Sequence, residues 1–86
     1  MAMPASIVDQ CRNALATIGR ALKEAGSGFD HVVRVNYILP DKADWPDCWP
    51  LLAETFAKAR PAATMIVAGL QEPEMKIEIE VTARIP

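Results

Sequence analysis

Two glutamates near the end of the chain have the types and spacing that chemistry on one face of a strand requires. In KIEIEVTA, residues 76–83, Glu78 and Glu80 alternate with Ile77 and Ile79. Because successive side chains of a strand point to opposite faces, the segment predicts one apolar face and one face with two carboxylates. A carboxylate in such a place can orient or deprotonate a water molecule. The alternative is that both glutamates pair with Arg or Lys side chains of this chain or of a neighbouring chain.

The other reactive side chains form no recognisable motif. Cys11 and Cys48 lack metal-ligand spacing, and His31 is the one histidine, so a single chain cannot assemble a Cys/His zinc cluster. We expect buried free thiols, which suit a reducing compartment. The GSG sequence at 26–28 follows a predicted helix and lacks the third glycine of a dinucleotide-binding loop. Because no Cys/His cluster can form within one chain, we also expect no metal site.

The composition limits the classes of protein to consider. The chain has 86 residues, enough for one domain spanning 1–86, and 51% of them are hydrophobic, which indicates an additional apolar surface such as a subunit interface. The net charge of −2 with scattered basic residues argues against nucleic-acid binding. No apolar run is long enough to span a membrane and no signal-like segment follows Met1. We expect a cytoplasmic protein.

Two segments show helical periodicity. In residues 6–24 apolar side chains recur at steps of three and four, Ser6 can cap the first turn, and Gly26 suits the position after the last turn. Residues 41–60 repeat the pattern with an apolar stripe that we expect to be core. The stripe consists of Trp45, Trp49, Leu52, Phe56 and Ala59.

Three segments predict strands. Residues 31–39 are rich in β-branched side chains and end at Pro40, and residues 61–70 and 75–85 are separated by the turn at 71–74. The short turn predicts an antiparallel hairpin between the last two strands.

The order α-β-α-β-β predicts an α+β fold, with two helices on one face of a mostly antiparallel sheet. The apolar side of the last strand should pack on these helices, and the glutamate side should face away from them. In the first strand, alternation assigns Val33 to the same face as Val35, Tyr37 and Leu39.

Three segments carry a resemblance to a known family: GSGFDHVVRVNYILPDKADW at 26–45, ARPAATMIVAGL at 59–70 and EMKIEIEVTA at 74–83. Together they resemble the Rid family of reactive intermediate deaminases, also called YjgF or endoribonuclease L-PSP proteins, over essentially the whole chain. The resemblance implies a chorismate-mutase-like homotrimer with its sheets at the centre, its helices outside and ligand clefts between subunits. It also implies hydrolysis of enamine and imine metabolites to a keto acid and ammonia, with no cofactor.

The resemblance also implies roles for single residues. Glu78 matches a glutamate that helps to place the attacking water, and backbone N–H groups around Thr64 and Met65 would hold the ligand. Active deaminases grip the substrate carboxylate with an arginine, and that position is Ala63 in this chain. Arg60 would replace this arginine only if its loop turns inward; otherwise it is a solvent-facing or interface arginine.

The missing arginine leaves several functions open. Without it, 2-imino acids should be poor substrates, and a neutral or amine-bearing imine fits better. The alternative is a non-catalytic trimer that binds or senses a small molecule. Ribonuclease activity, an older label of the family, is disfavoured by the acidic charge.

The beginning of the chain departs from the family pattern. Members normally begin with two strands, whereas the predicted helix here begins almost at Met1. The domain would therefore lack these strands and leave a sheet edge exposed, which invites pairing with another chain. We expect obligate oligomerisation, with other copies of the chain and a small imine or enamine as partners, and no nucleic-acid or membrane partner.

Overall fold

The computed structural model describes residues 5–86 and places two helices against a three-stranded sheet. The elements are α1 (Ile7–Glu24), β1 (Val32–Leu39), α2 (Trp45–Thr55), β2 (Ala62–Val67) and β3 (Glu78–Ala83). The α-β-α-β-β order and the α+β class are confirmed. The predicted strands are longer than the observed ones at one or both ends.

Both ends of α1 are capped as the sequence predicts. The side chain of Ser6 accepts a hydrogen bond from a backbone N–H of the first turn. At the other end, Gly26 has a φ of 83°. Its N–H donates to the carbonyl of Lys23 at 3.1 Å, and the N–H of Ser27 donates to the carbonyl of Leu22 at 2.8 Å. This pair of bonds is a Schellman motif, which favours glycine at the left-handed position.

α2 accommodates two prolines and exposes part of its predicted core stripe. Pro46 lies in the first turn, and Pro50 lies inside the helix, where it removes one backbone hydrogen bond. Leu52 and Phe56 are buried, but Trp49 is 48% exposed. The prediction that the whole stripe is core is therefore wrong for Trp49.

The strand order is β2-β1-β3, with β1 parallel to β2 and antiparallel to β3. The predicted hairpin between β2 and β3 is therefore wrong, and the sheet is mixed rather than mostly antiparallel. The crossover through α2 allows β2 to run parallel to β1. Residues 68–77 then carry the chain to the opposite edge of β1, which a two- to four-residue turn could not do.

An irregularity at the start of β1 changes its predicted alternation. The register with β3 shifts between Val32 and Arg34, so Val32 is buried and Val33 is 49% exposed. The prediction that Val33 shares a face with Val35, Tyr37 and Leu39 is therefore wrong, because a bulge-like shift moves every preceding side chain to the other face. From Val35 onwards the predicted alternation holds, with Tyr37 also in the core.

The core lies between the helices and one face of the sheet. Its buried hydrophobic residues are Ile7, Cys11, Leu15, Val32, Val35, Tyr37, Leu39, Cys48, Leu52, Phe56, Ile77 and Ile79. Gly19 lets the ring of Phe29 approach α1, since a Cβ at this position would lie 3.1 Å from that ring. Phe29 in turn meets Phe56 edge to face at 5.7 Å between ring centroids.

Within residues 5–86, no helix has the length and apolar character needed to cross a membrane.

Candidate functional site

The sheet face opposite α1 and α2, called the open face below, carries the predicted catalytic glutamate. Its side chains are Arg34, Asn36 and Ile38 of β1, Thr64 and Ile66 of β2, and Glu78, Glu80 and Thr82 of β3. The strand register arranges them in rows across the sheet. One row is Ile66, Ile38 and Glu78, and the next is Thr64, Asn36 and Glu80.

The two glutamates of β3 are both exposed but have different neighbours. The amide of Asn36 donates to the Glu80 carboxylate at 3.2 Å. Glu78 lies beside Ile38, which separates it from Ile66 on the opposite edge strand. No described residue forms a hydrogen bond or ion pair with its carboxylate. Glu78 is therefore the carboxylate that remains available to bind and orient a water molecule.

A buried glutamine fixes the start of β3. Gln10 on α1 is 7% exposed, and its amide donates to the carbonyl of Glu74 at 2.9 Å. Its side-chain oxygen accepts from the N–H of Lys76 at 2.8 Å. These bonds hold the segment that precedes Glu78. Our sequence interpretation missed this role, although Gln10, three residues after the apolar Ile7, lies on the buried stripe of α1.

A groove of about 360 Å³ lies between α2 and β2, on the helix side of the sheet, and is called the α2–β2 groove. Its described lining consists of Tyr37, Trp49, Leu52, Ala53, Phe56, Ala57, Arg60, Pro61 and Ala63. Three of these side chains are aromatic, and Arg60 is the one charged residue among them.

Arg60 has an unusual backbone conformation. Its φ is 47°, in the left-handed region that residues other than glycine rarely adopt. Its N–H donates to the carbonyl of Phe56 at 2.9 Å and so completes the end of the helical segment. No ion pair joins its guanidinium to any acid in the part of the chain that the structure describes.

The residues predicted for one ligand site lie in three places within the single chain. Arg60 and Ala63 line the α2–β2 groove. Thr64 and Glu78 lie on the open face, in adjacent rows. Met65 is partly buried and packs against the core. One chain therefore places Arg60 and Ala63 in one groove, and places Thr64 and Glu78 on one sheet face with β1 between them. It does not unite the two pairs.

The buried thiols and the tyrosine hydroxyl are poor candidates for nucleophiles. Burial raises the pKa of the Cys11 thiol to about 11 and that of Tyr37 to about 12. Burial also raises the pKa of the Cys48 thiol, which donates to the carbonyl of Trp45 at 3.3 Å. At neutral pH these groups stay protonated and serve as packing.

Residues 5–86 contain no cluster of three or more His, Cys, Asp or Glu side chains placed to hold a metal ion.

Sequence comparisons relate the chain to deaminases. The family model described as Endoribonuclease L-PSP matches residues 1–85. The 3-aminoacrylate deaminase RutC of Acinetobacter baylyi is 36% identical over 76 residues, which are 88% of this chain and 60% of that protein. The 2-iminobutanoate/2-iminopropanoate deaminase of Capra hircus is 28% identical over 81 residues, which cover 94% of this chain and 59% of that protein. The chain thus spans about 60% of the length of these relatives.

Solved structures share the fold. A Mycobacterium tuberculosis member of the YjgF/YER057c/UK114 family superposes with a TM-score of 0.89 at 33% identity, covering 94% of this chain and 70% of that chain. A YjgF family protein from Neisseria meningitidis gives a TM-score of 0.88 at 32% identity, covering 94% of this chain and 69% of that chain.

Proposed function

Because the chain belongs to the endoribonuclease L-PSP family, also called the YjgF or Rid family, we propose that it hydrolyses small imine or enamine metabolites. The observation that carries the proposal is the uncommitted carboxylate of Glu78 on the open face of the sheet. Two relatives named as deaminases of 3-aminoacrylate and of 2-iminobutanoate or 2-iminopropanoate support the reaction class.

The proposed chemistry is the addition of water to a C=N carbon. Glu78 accepts a proton as the water oxygen bonds to that carbon, and the electron pair of the C=N bond moves to nitrogen, which also takes up a proton. The resulting carbinolamine then loses its C–N bond as a lone pair of its oxygen forms the C=O bond, and Glu78 returns its proton to the leaving nitrogen. The hydroxyl proton passes to solvent, which balances the proton that nitrogen took up from solvent in the first step. The products are a carbonyl compound and ammonia, and an enamine substrate first tautomerises to the imine.

The proposed site is completed by a second copy of the chain. The open face and the α2–β2 groove lie on opposite sides of the sheet, so they cannot enclose one small molecule within a single chain. In a homotrimer with the sheets at the centre, the groove edge of one subunit can lie beside the open face of the next. We place the ligand cleft at that junction, with backbone N–H groups near Thr64 and Met65 as ligand contacts.

The substrate choice is proposed to differ from that of the named relatives. Ala63 stands where active members carry the arginine that binds the substrate carboxylate, and a methyl group cannot form that pair. Small 2-imino acids should therefore bind less well in the standard position.

A second candidate is a non-catalytic trimer that binds a small molecule, and Ala63 is the observation that favours it. The two candidates differ in one measurable quantity, the release of ammonia. A binding protein would hold an imine or its carbonyl product without accelerating hydrolysis.

Ammonia release tests the proposal. Imines are generated in the assay by an amino-acid oxidase, and ammonia production is followed with wild-type protein, Glu78→Gln and buffer alone. We expect wild type to accelerate ammonia release above the rate in buffer. Glu78→Gln should lower this catalysed rate by about 100-fold or more, because glutamine keeps the shape of the side chain but cannot take up the proton. Equal rates for wild type and buffer would favour the binding protein.

A further inference from the structure

The α2–β2 groove combines an apolar wall with a single cation. Tyr37, Trp49 and Phe56 supply the aromatic part of the wall, and Trp49 leaves 48% of its surface exposed. Water in contact with this much aromatic surface is released when an apolar group covers it, and the gain scales with the area covered. The volume of about 360 Å³ lies within the range of small-molecule pockets, about 300–1,000 Å³.

The cation in this groove is available. Arg60 is exposed and has no ion pair with an acid of the described chain, whereas Lys58 close by pairs with Asp30 at 3.9 Å. A guanidinium presents several N–H donors in a planar fork that matches a carboxylate. Because no acid lines the groove, nothing in the described lining repels an anionic ligand.

The backbone at Arg60 gives a second, independent indication of function. A φ of 47° is costly for any residue with a Cβ. Glycine would fit this position with less strain, since only a backbone N–H is needed to complete the helical end. Strained conformations of this kind concentrate at sites where the side chain has a role.

We propose that the α2–β2 groove binds a small carboxylic acid with an aromatic or bulky apolar body, and that Arg60 pairs with its carboxylate. The inference rests on the proposed function and names its substrate class: 2-imino or enamino acids whose side chain is large and apolar. The expectation of a neutral imine followed from Ala63 at the position of the missing arginine. Arg60 lines the same groove and supplies a positive charge three residues earlier, while the small Ala63 leaves room for the ligand body.

Binding of a stable product analogue tests the inference without requiring turnover. Isothermal titration calorimetry compares phenylpyruvate, which has both ring and carboxylate, with pyruvate, which lacks the ring, and phenylacetone, in which a methyl group replaces the carboxylate. We expect phenylpyruvate to bind about tenfold or more tightly than either probe. Phenylacetone binding as tightly as phenylpyruvate, or phenylpyruvate failing to bind, would overturn the proposal.

Variants then assign the carboxylate contact. Arg60→Ala should weaken phenylpyruvate binding by about tenfold to hundredfold and leave phenylacetone unchanged. Arg20→Ala removes an exposed arginine of α1 outside the groove and serves as the matched control, with unchanged binding expected. Equal weakening by both variants would reject a specific role of Arg60.

Arg60→Gly separates function from folding. It removes the guanidinium and relieves the left-handed backbone, so we expect the same loss of binding together with a melting temperature about 4 °C higher. Loss of binding in a more stable protein cannot arise from unfolding, and retained phenylpyruvate binding in this variant would contradict the proposal. If Glu78→Gln abolishes turnover but the Arg60 variants still bind phenylpyruvate as wild type does, the hydrolytic function is supported and the assignment of the α2–β2 groove is wrong.

Discussion

Single residues acquire their chemical character here from neighbours on other strands. Glu78 and Glu80 look equivalent in the sequence, because both occupy the same face of β3. Pairing with β1 places Asn36 beside Glu80 and Ile38 beside Glu78, so one carboxylate is held by a hydrogen bond and the other is not. The sequence could predict which face carries the glutamates, but the difference between them depends on the register with β1.

The buried thiols and Tyr37 predict an alkaline loss of stability. Burial raises the folded-state pKa of Cys11 from 9.0 to about 11, raises that of Cys48, and raises that of Tyr37 from 10.0 to about 12. As the pH rises, the unfolded chain ionises these groups before the folded chain does. Their contribution to the free energy of unfolding is therefore fully present below about pH 9. It should then fall between pH 9 and 12, by up to about 1.4 kcal/mol per pH unit for each ionising group.

Urea unfolding at pH 8 and pH 10.5 measures this loss. A Cys11→Ala, Cys48→Ala double variant serves as the comparison, since it should be less stable at both pH values because of the cavities but lose less between them. An identical decrease in the double variant and the wild type would show that the thiols do not contribute.

Local sequence signals are sufficient to predict the ends of a helix, but they are not sufficient to predict strand pairing or the exposure of a side chain. Ser6 and Gly26 predict both ends of α1, because capping depends on residues within a few positions of the helix end. The partner of β2 is not a local property, and a turn-like sequence before β3 suggested a hairpin that does not form. Likewise, the spacing of Trp49 predicts its face of α2, but the 48% exposure of this side chain depends on what packs against that face in the folded chain.

The helix end at Gly26 makes a prediction with a built-in control. Gly26→Ala should destabilise the protein by about 1 kcal/mol or more, because its φ of 83° disfavours a Cβ. Gly28→Ala changes a glycine two residues away with extended backbone and open space around a new Cβ, and should alter stability by less than about 0.5 kcal/mol. Urea unfolding of both variants measures the difference, and equal effects would show that α1 does not depend on this cap.

At the scale of the whole molecule, apolar surface remains outside the core. Large hydrophobic side chains are exposed at Val33, Trp49, Ile66, Val67 and Ile85. Of these, Ile66 belongs to the open face, and β2 and β3 form the two edges of the described sheet. Together with the 51% hydrophobic content, the exposed residues on the strands, Val33, Ile66 and Val67, support our proposal that copies of the chain associate through the sheet.

Sedimentation of a matched pair of variants tests this association. Wild type should sediment at three times the mass of one chain, and Ile66→Lys, which buries a charge in the proposed interface, should shift the protein towards smaller species. Ile85→Lys, at a position that is 69% exposed and outside the strands, is the control and should remain associated. A well-folded monomer of the wild type at micromolar concentration would contradict the proposed assembly.

Two isosteric changes on β3, compared with each other, test whether Glu78 activates water. Turnover of enzymatically generated imines is measured as ammonia release for Glu78→Gln and for Glu80→Gln, under the same conditions and after matching their folded fraction by circular dichroism. We predict that Glu78→Gln lowers the rate of ammonia release by about 100-fold or more, while Glu80→Gln changes it by less than about threefold. Equal activity of Glu78→Gln and wild type, or equal losses in both variants, would contradict the assignment of Glu78 as the residue that activates water.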